Sequence, residues 1–181
     1  MKKIILSITI ISAFAVSAFT LAALWKADEK NSTVNWEISD KKGTFGNLVT
    51  TLNFDKANLA DSKITAAIDV KTLKAGNEKL EAHLLTADFF DAEKFPKIVF
   101  TSTEIKANGT AYLAKGTLKM KDSTKVIELP FTFTEADKTK GTFSGTMTVM
   151  AADYGVMKPQ KDPSKVGADK VVIYLTVPVT K

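Results

Sequence analysis

The sequence predicts an all-β protein, an eight-stranded antiparallel barrel with a short helical lid between the third and fourth strands. Apolar and polar residues alternate with a period of two along most of the chain, which is typical of strands with one buried face. Turn-like segments separate most neighbouring strands, and short connections require antiparallel pairing. One insertion replaces this alternation with a helical spacing of apolar residues.

The alternation defines each strand in turn, and Asn108-Gly109 adds a strong hairpin signal between the fourth and fifth strands. Pro130 cannot donate to a strand ladder, so it predicts a sheet edge or a bulge in the sixth strand. Eight such strands can close into a barrel that is either filled by side chains or holds one small ligand. In chain order, the predicted strands are residues 34–38, 43–54, 64–70, 98–105, 112–121, 127–134, 143–149 and 171–179.

Two glycines, Gly116 and Gly145, fall in the inward phase of their strands. They mark bends of the sheet or leave room for a ligand. If the room is ligand space, leucine at either position is expected to block ligand uptake while the barrel still folds.

The insertion between the third and fourth strands has the signature of a short helix. Asn77 is suited to the N-cap, and Glu78 in the first turn complements the helix dipole. Leu80, His83 and Leu84 then share one helical face. We expect this helix to cover one end of the barrel.

The aromatic residues after this helix must cover apolar surface. Phe89, Phe90 and Phe95 carry more apolar area than a surface loop usually does, and each buried aromatic contributes about 1.5–3 kcal/mol. A second short turn from Asp91 must end by Phe95, because Pro96 disfavours helical backbone before it. The aromatic residues either complete a core or line the mouth of an apolar pocket. A second irregular stretch, residues 152–168, is long for a hairpin loop and is interpreted as a flap at such a mouth.

Residues 1–23 are predicted to be a signal peptide, and residues 24–181 a single domain. Lys2 and Lys3 precede a long apolar stretch that small residues follow, which is the pattern of a cleaved export signal. The alternative is an uncleaved anchor, because the apolar stretch reaches Leu24 and approaches the roughly 20 residues that span a bilayer. Cleavage would leave a periplasmic or secreted protein.

Composition excludes several functional classes. The chain has no cysteine, so it has neither a disulfide framework nor a cysteine nucleophile. All 25 basic residues are lysines and they are scattered, which argues against nucleic-acid binding despite the net charge of +5. A single histidine excludes a metal site of several histidines. We expect no enzyme activity, no cofactor and no metal.

His83 and three nearby acidic residues remain as chemical candidates. His83 can act as a general base, hydrogen-bond a ligand head group, or pack with its polar tip bonded, and packing is the commonest role of a lone histidine on an apolar face. Asp88, Asp91 and Glu93 can pair for catalysis, but helix caps and turns use the same residue types.

The segment from His83 to Thr103 resembles the YceI-like family of exported lipid-binding proteins, and the resemblance covers nearly all of the predicted mature chain. Three positions depart from common family residues: Leu80-Glu81 and Ala151-Ala152 stand where arginine is frequent, and Glu37-Ile38-Ser39 where histidine is common. The matching pieces are His83-Leu84, Asp88-Phe89-Phe90-Asp91, Phe95-Pro96, Phe100-Thr-Ser-Thr103, Lys115-Gly116-Thr117-Leu118, Thr124-Lys125-Val126, Asp153-Tyr154-Gly155-Val156 and the strand from Val171 to Val179.

The resemblance implies a lipocalin-like barrel whose cavity takes a long amphiphile. We expect the protein to bind, sequester or carry a polyisoprenoid or another long-chain, fatty-acid-like lipid in the cell envelope, with transient membrane contact. The alternative is a non-catalytic interaction protein with a filled barrel, acting through its outer surface. The expected ligand-contacting residues are Phe45, Leu80, His83, Leu84, Phe89, Phe90, Phe95, Phe100, Leu118, Met120, Phe131, Met147 and Tyr154.

Overall fold

The computed structural model describes residues 24–158 and 169–181. The predicted signal peptide lies outside these ranges, as does part of the predicted flap, residues 159–168. The described strands are β1 (Leu24–Ala27), β2 (Thr33–Ile38), β3 (Lys41–Phe45), β4 (Val49–Asn53), β5 (Lys63–Asp69), β6 (Lys97–Asn108), β7 (Ala111–Met120), β8 (Ser123–Glu135), β9 (Lys140–Met150) and β10 (Lys170–Thr180). One helix, α1 (Glu78–Leu84), lies between β5 and β6, and short 3-10 turns cover Val70–Thr72 and Ala151–Tyr154.

The strands close into an antiparallel barrel, as predicted. The hydrogen-bonded order β1-β4-β5-β6-β7-β8-β9-β10 returns to its start through pairing of β10 with β1, which makes a ring of eight strands. β2 and β3 form a hairpin that extends from β10, where Ile173 pairs with Trp36. The helix lies between the strands predicted as third and fourth, which is also confirmed.

The ring differs from the prediction near its N-terminal strands. The segment predicted as one strand over 43–54 is two strands, because Asn47 adopts a left-handed backbone (φ 51°) between β3 and β4. β1, which closes the ring, was not among the predicted strands. It is only four residues long and directly follows the apolar leader, so its two inward residues, Trp25 and Ala27, are too few to stand out as an alternation.

A β-bulge in β6 explains why residue 116 is a glycine, and it overturns the expectation that this glycine leaves room for a ligand. The pairing of β6 with β7 shifts register between Ser102 and Glu104, and Ser102 lies opposite Gly116. A Cβ atom on Gly116 would lie 2.3 Å from the carbonyl oxygen of Thr101. The prediction that Gly116 leaves room for a ligand is therefore wrong, because the backbone of the neighbouring strand fills that space. Ser102 completes the bulge by accepting a hydrogen bond from the Ile64 N–H at 2.8 Å.

Pro130 lies where one side of β8 becomes free. β8 pairs with β7 from Ser123 to Phe131, but its pairing with β9 runs only from Phe131 to Glu135. Pro130 is therefore the last residue before the β9 ladder begins, which is the edge position that its missing N–H predicts.

One end of the barrel is closed by aromatic rings, which we call the aromatic plug. Phe54 is 1% exposed, and four other rings pack against it mostly edge-on with centroids 5.0–5.6 Å away. The Trp25 Nε1–H donates to the Phe54 carbonyl at 3.1 Å and so fixes β1 against this cluster. The plug consists of Trp25, Phe54, Tyr112, Phe131, Phe133 and Phe143.

The opposite end carries residues 78–95, which we call the lid. Its helix begins as predicted, because Asn77 Oδ1 accepts a hydrogen bond from the Leu80 N–H at 3.1 Å. The predicted second turn is a single loop in which the Phe95 N–H donates to the Asp91 carbonyl at 2.8 Å. Among the described residues, no helix has both the length and the apolar character needed to cross a bilayer.

Candidate functional site

An apolar cavity of about 430 Å³ lies inside the barrel between the aromatic plug and the lid. Phe131 and Phe143 belong both to the plug and to the cavity wall. Inward residues of the strands form the sides, because alternation sends every second side chain to the barrel interior. The lid contributes Leu80, Leu84 and Phe90 at the other end.

The polar side chains of this wall are concentrated at the lid end. The β2–β3 turn and the first residue of β3 contribute three of them, Ser39, Asp40 and Lys41, and the Lys41 ammonium lies 3.7 Å from the Asp40 carboxylate. His83 lies on the lid with its ring edge-on to Phe89, the centroids 4.7 Å apart. Apart from tryptophan, the lining residues with polar side chains are Ser39, Asp40, Lys41, Thr50, His83 and Ser144.

The lid aromatics differ in what they cover. Phe90 is half-buried and packs edge-on against Phe45 of β3, with centroids 5.9 Å apart. Phe89 is also half-buried, packs on His83 and borders the cavity. Of the two interpretations that the sequence left open, these two residues therefore fit the mouth of an apolar pocket.

The structure gathers most of the predicted ligand-contacting residues around one cavity. Their shared feature is an inward position on a strand or a place on the lid. Those that line it are Phe45, Leu80, His83, Leu84, Phe89, Phe90, Phe100, Leu118, Met120, Phe131 and Met147.

Phe95 and Tyr154 are not on the cavity wall. Phe95 follows the lid turn with its ring half-buried, and the Lys94 ammonium lies 5.0 Å from its centre. Tyr154 belongs to the 3-10 turn after β9, which packs against β8 and β9, and only 2% of it is exposed. Burial raises the pKa of the Tyr154 hydroxyl, and the charge of Asp153 adds to the effect. Both residues pack beside the site instead of lining it.

Several wall residues were not predicted as ligand contacts. Trp36, Thr50, Ala66 and Ile173 all line the cavity. The signal that marks them is the inward phase of the strand alternation, which does not distinguish a wall residue from a core residue. Gly145 also lines the cavity, but a Cβ atom on it would lie 3.1 Å from the Pro130 carbonyl oxygen and 3.2 Å from Leu129 Cδ1, so the expectation of room directly at this glycine is wrong as well.

The chemistry of the cavity is that of a container for an apolar chain. In residues 24–158 and 169–181, no three His, Cys, Asp or Glu side chains cluster closely enough to hold a metal ion. Its charged side chains lie near the lid, where they can meet the polar end of an amphiphile, whereas the described lining residues at the plug end are aromatic and aliphatic apart from Ser144.

Structural relatives share this architecture. The structure of Burkholderia cenocepacia BcnA superimposes with a TM-score of 0.75 at 24% identity, covering 84% of this chain and 99% of that one. A polyisoprenoid-binding domain from Saccharophagus degradans, implicated in plant cell wall breakdown, superimposes with a TM-score of 0.63 at 15% identity, covering 88% and 98%. At these identities the likeness shows the fold.

Sequence relatives extend the likeness to a family. The chain is 31% identical over 136 residues to protein YceI of Escherichia coli O157:H7, and 30% identical over 136 residues to a UPF0312 protein of Pectobacterium atrosepticum. Each match covers 71% of both chains. The family model described as a YceI-like domain matches residues 25–179. The chain therefore belongs to the YceI-like domain family.

Proposed function

We propose that this protein binds one long-chain lipid inside its barrel and sequesters or carries it through an aqueous compartment of the cell envelope. The ligand is a polyisoprenoid or a fatty-acid-like chain. The observation that carries the proposal is the apolar cavity of about 430 Å³, plugged at one end and covered by the lid at the other. Its volume falls within the roughly 300–1,000 Å³ that is usual for small-molecule sites.

Burial of the chain supplies the binding energy. Each CH₂ group moved from water into an apolar wall contributes about 0.8 kcal/mol, so a dozen carbons contribute about 10 kcal/mol. Association costs about 4–15 kcal/mol before any affinity remains. A chain of this length is therefore the shortest that we expect to bind usefully.

The polar groups set the direction of the ligand. Beside the plug, the described lining residues offer one neutral hydroxyl, that of Ser144, whereas the charged or ionisable side chains of Asp40, Lys41 and His83 lie near the lid. We expect the apolar chain to point towards Phe131 and Phe143, with the polar end towards the lid. His83 is the residue best placed on the lid to hydrogen-bond that end.

The likeness to the Saccharophagus degradans domain supports the class of ligand, since that protein is described as polyisoprenoid-binding. The alternative, an interaction protein that acts through its outer surface, requires a barrel filled by its own side chains. The cavity speaks against that requirement.

The compartment and the carrier role belong to the same proposal. The apolar leader after Lys2 and Lys3 supports export to the periplasm or beyond the cell. A lipid that leaves a bilayer must then be shielded from water, and burial in the barrel provides this shielding. Transient contact with a membrane would be needed to load and release it.

The proposal is tested by extracting the exported, purified protein with organic solvent and analysing the extract by mass spectrometry. We expect a long-chain lipid in stoichiometric amount, and the delipidated protein should rebind a fluorescent fatty-acid analogue that farnesol displaces. A protein that yields no lipid and binds neither compound would contradict the proposal and favour the outer-surface alternative.

A further inference from the structure

The barrel wall is split between β8 and β9. These two strands pair only where Phe131–Glu135 meets Gly141–Gly145, towards the plug end. Nearer the lid, β8 pairs with β7 and β9 pairs with β10, but among the described residues no ladder joins β8 to β9. A ligand can therefore pass between these two strands without breaking hydrogen bonds of the sheet.

The segment that follows β9 closes this split. Its 3-10 turn, Ala151–Tyr154, packs against both β8 and β9. Val156 and Met157 come next, and both line the cavity although neither belongs to a strand. Val156 is only 4% exposed. This part of the cavity wall is therefore held by packing and local hydrogen bonds, and not by a strand ladder.

A hinge and two hydrogen bonds describe how the outer part of this segment is held. The Val156 N–H donates to the Ala151 carbonyl at 3.1 Å, and the Lys121 ammonium donates to the Gly155 carbonyl at 3.0 Å. Gly155 has a left-handed backbone with φ 65°, and glycine can leave this conformation at little cost. Tyr154, which is 2% exposed, anchors the base of the turn. Val156 can therefore move about Gly155 while the turn stays in place.

The lid is attached at points that reach deeper into the protein. The Glu81 carboxylate accepts a hydrogen bond from the Ala75 N–H at 2.9 Å, and Phe90 packs edge-on against Phe45. Lifting the lid would also uncover Ala92, which is 1% exposed. Because more apolar surface and more contacts would be lost, lifting the lid costs more than moving Val156.

Apolar side chains border the split on both sides of the barrel wall. Leu129 of β8 and Met147 and Val149 of β9 line the cavity beside it. On the outer surface, Val126 lies on the part of β8 that does not pair with β9, and it is 66% exposed. An alkyl chain moving through the split would therefore meet apolar surface on its whole path.

We propose that the lipid enters and leaves the cavity sideways, through the split between β8 and β9, and that residues 155–157 are the gate that opens for it. This inference rests on the proposed lipid-binding function and adds the route of the ligand to it. Gly155 is the hinge, Val156 covers the split, and Lys121 holds the gate closed through the Gly155 carbonyl. The lid stays in place while the gate opens.

Three glycines with left-handed backbone provide matched variants for a test. Gly155 lies in the gate, Gly76 (φ 71°) directly precedes the N-cap of the lid helix, and Gly109 (φ 62°) lies in the β6–β7 hairpin at the plug end. A Cβ atom would meet nothing within 4 Å at any of them, so alanine adds backbone strain without a clash. Each variant is loaded with cis-parinaric acid, a fluorescent fatty acid, and release is followed by stopped-flow fluorescence after mixing with excess oleic acid.

Gly155→Ala should both release and take up the probe about fivefold to tenfold faster than wild type, because the strain on alanine favours the open gate. Since both rates rise together, the affinity should stay close to the wild-type value. Gly76→Ala and Gly109→Ala carry the same strain elsewhere in the chain, so both should release the probe at the wild-type rate.

A second measurement does not depend on how the glycine variants fold. The chain has no cysteine, so a single introduced cysteine reports how often its own position opens. Val156→Cys in the gate is compared with Ala92→Cys in the lid, because these positions are 4% and 1% exposed in the closed protein. Under native conditions, N-ethylmaleimide should modify Val156→Cys about tenfold faster than Ala92→Cys, or more.

Faster release in Gly76→Ala alone, or faster modification of Ala92→Cys than of Val156→Cys, would assign the route to the lid and overturn the gate. Equal acceleration in all three glycine variants would show a general loosening of the barrel and would overturn it too. The same holds for release at the wild-type rate from a folded Gly155→Ala protein. If wild type binds no cis-parinaric acid, the lipid-binding function itself fails, and the proposed route fails with it.

Discussion

The Lys121 ammonium donates to the backbone carbonyl of Phe89 at 2.5 Å and so fastens the lid to the turn between β7 and β8. The same ammonium also donates to the Gly155 carbonyl at 3.0 Å, in the turn that follows β9. Lys121 adopts a left-handed backbone with φ 54°, which is unfavourable for a lysine. One side chain therefore joins the lid and a second segment at the same end of the cavity.

Lys121→Met should loosen the lid without unfolding the barrel. Methionine keeps the aliphatic stem but removes both charge-assisted hydrogen bonds, each of which is typically worth about 1.5–3 kcal/mol. Hydrogen exchange followed by mass spectrometry should show faster exchange in residues 84–95 and unchanged exchange in β6 and β7. The control is Lys119→Met on the exposed face of β7. Equal lid exchange in the two variants would show that Lys121 does not fasten it.

Gly116→Ala should destabilise the barrel by about 3 kcal/mol or more. The added Cβ would lie 2.3 Å from the Thr101 carbonyl oxygen and 2.7 Å from Cα of Ser102, so backbone must move. Gly46→Ala is the control, because its Cβ would meet nothing closer than Thr72 Cβ at 3.4 Å. Urea denaturation gives both free energies of unfolding. A Gly116→Ala barrel as stable as the control would contradict the close approach seen at the bulge.

The plug and the lid should respond differently to loss of a ring. Phe54→Ala should cost about 3–5 kcal/mol of unfolding free energy, because the ring is 1% exposed and four aromatic rings pack on it. Phe89→Ala should cost less, about 1–2 kcal/mol, since Phe89 is only half-buried, but it should weaken binding of a fluorescent fatty-acid analogue. Denaturation and titration of both variants separate the roles. Undiminished binding in Phe89→Ala would remove that residue from the mouth.

Acid should weaken the start of the lid through Glu81. The N–H of Ala75 and the Lys74 ammonium donate to the Glu81 carboxylate at 2.9 Å and 3.1 Å, and these bonds lower the pKa of Glu81. Because the folded-state pKa is depressed, the stabilisation is complete above the unfolded value of about 4.3 and disappears as the pH falls through the folded value.

Comparison of wild type with Glu81→Gln by urea denaturation measures this stabilisation. The difference in unfolding free energy between the two proteins should be largest at neutral pH and should vanish well below pH 4 or so. Glu29→Gln, at an exposed position, serves as the control. A difference that stays constant across this range would mean that the carboxylate charge does not hold the lid.

Most of the barrel could be predicted from the sequence, because the alternation of apolar and polar residues shows which side of a strand is buried. Ile98 and Phe100 were correctly predicted to point inward. The bulge between Ser102 and Glu104 then shifts the inward–outward alternation before Ile105, and no residue type in the sequence indicates this shift. The same bulge explains why Gly116 was misjudged. A glycine required by an approaching backbone and one that leaves space look alike in a sequence.

The part of the site that could be predicted is the part that follows from the inward-pointing residues of the strands and from the aromatic residues of the lid. Phe95 was placed on the wall with the other aromatic residues of the lid, and Tyr154 with the irregular stretch after β9, whereas their positions depend on how these two connecting segments fold. Trp36 and Thr50 line the cavity but were not predicted to do so, because the inward phase that marks them is shared by every core residue of a strand.

The central claim, that the lipid occupies the barrel interior, is tested most directly by placing one large side chain inside and the same side chain outside. Ala66 and Ala67 are consecutive on β5, and Ala66 lines the cavity whereas Ala67 points away from it. Fluorescent fatty-acid titrations of Ala66→Trp and Ala67→Trp, with melting curves to show that both fold, give the answer. We expect Ala66→Trp to lose binding and Ala67→Trp to bind as wild type does. Wild-type affinity in a folded Ala66→Trp protein would contradict the claim.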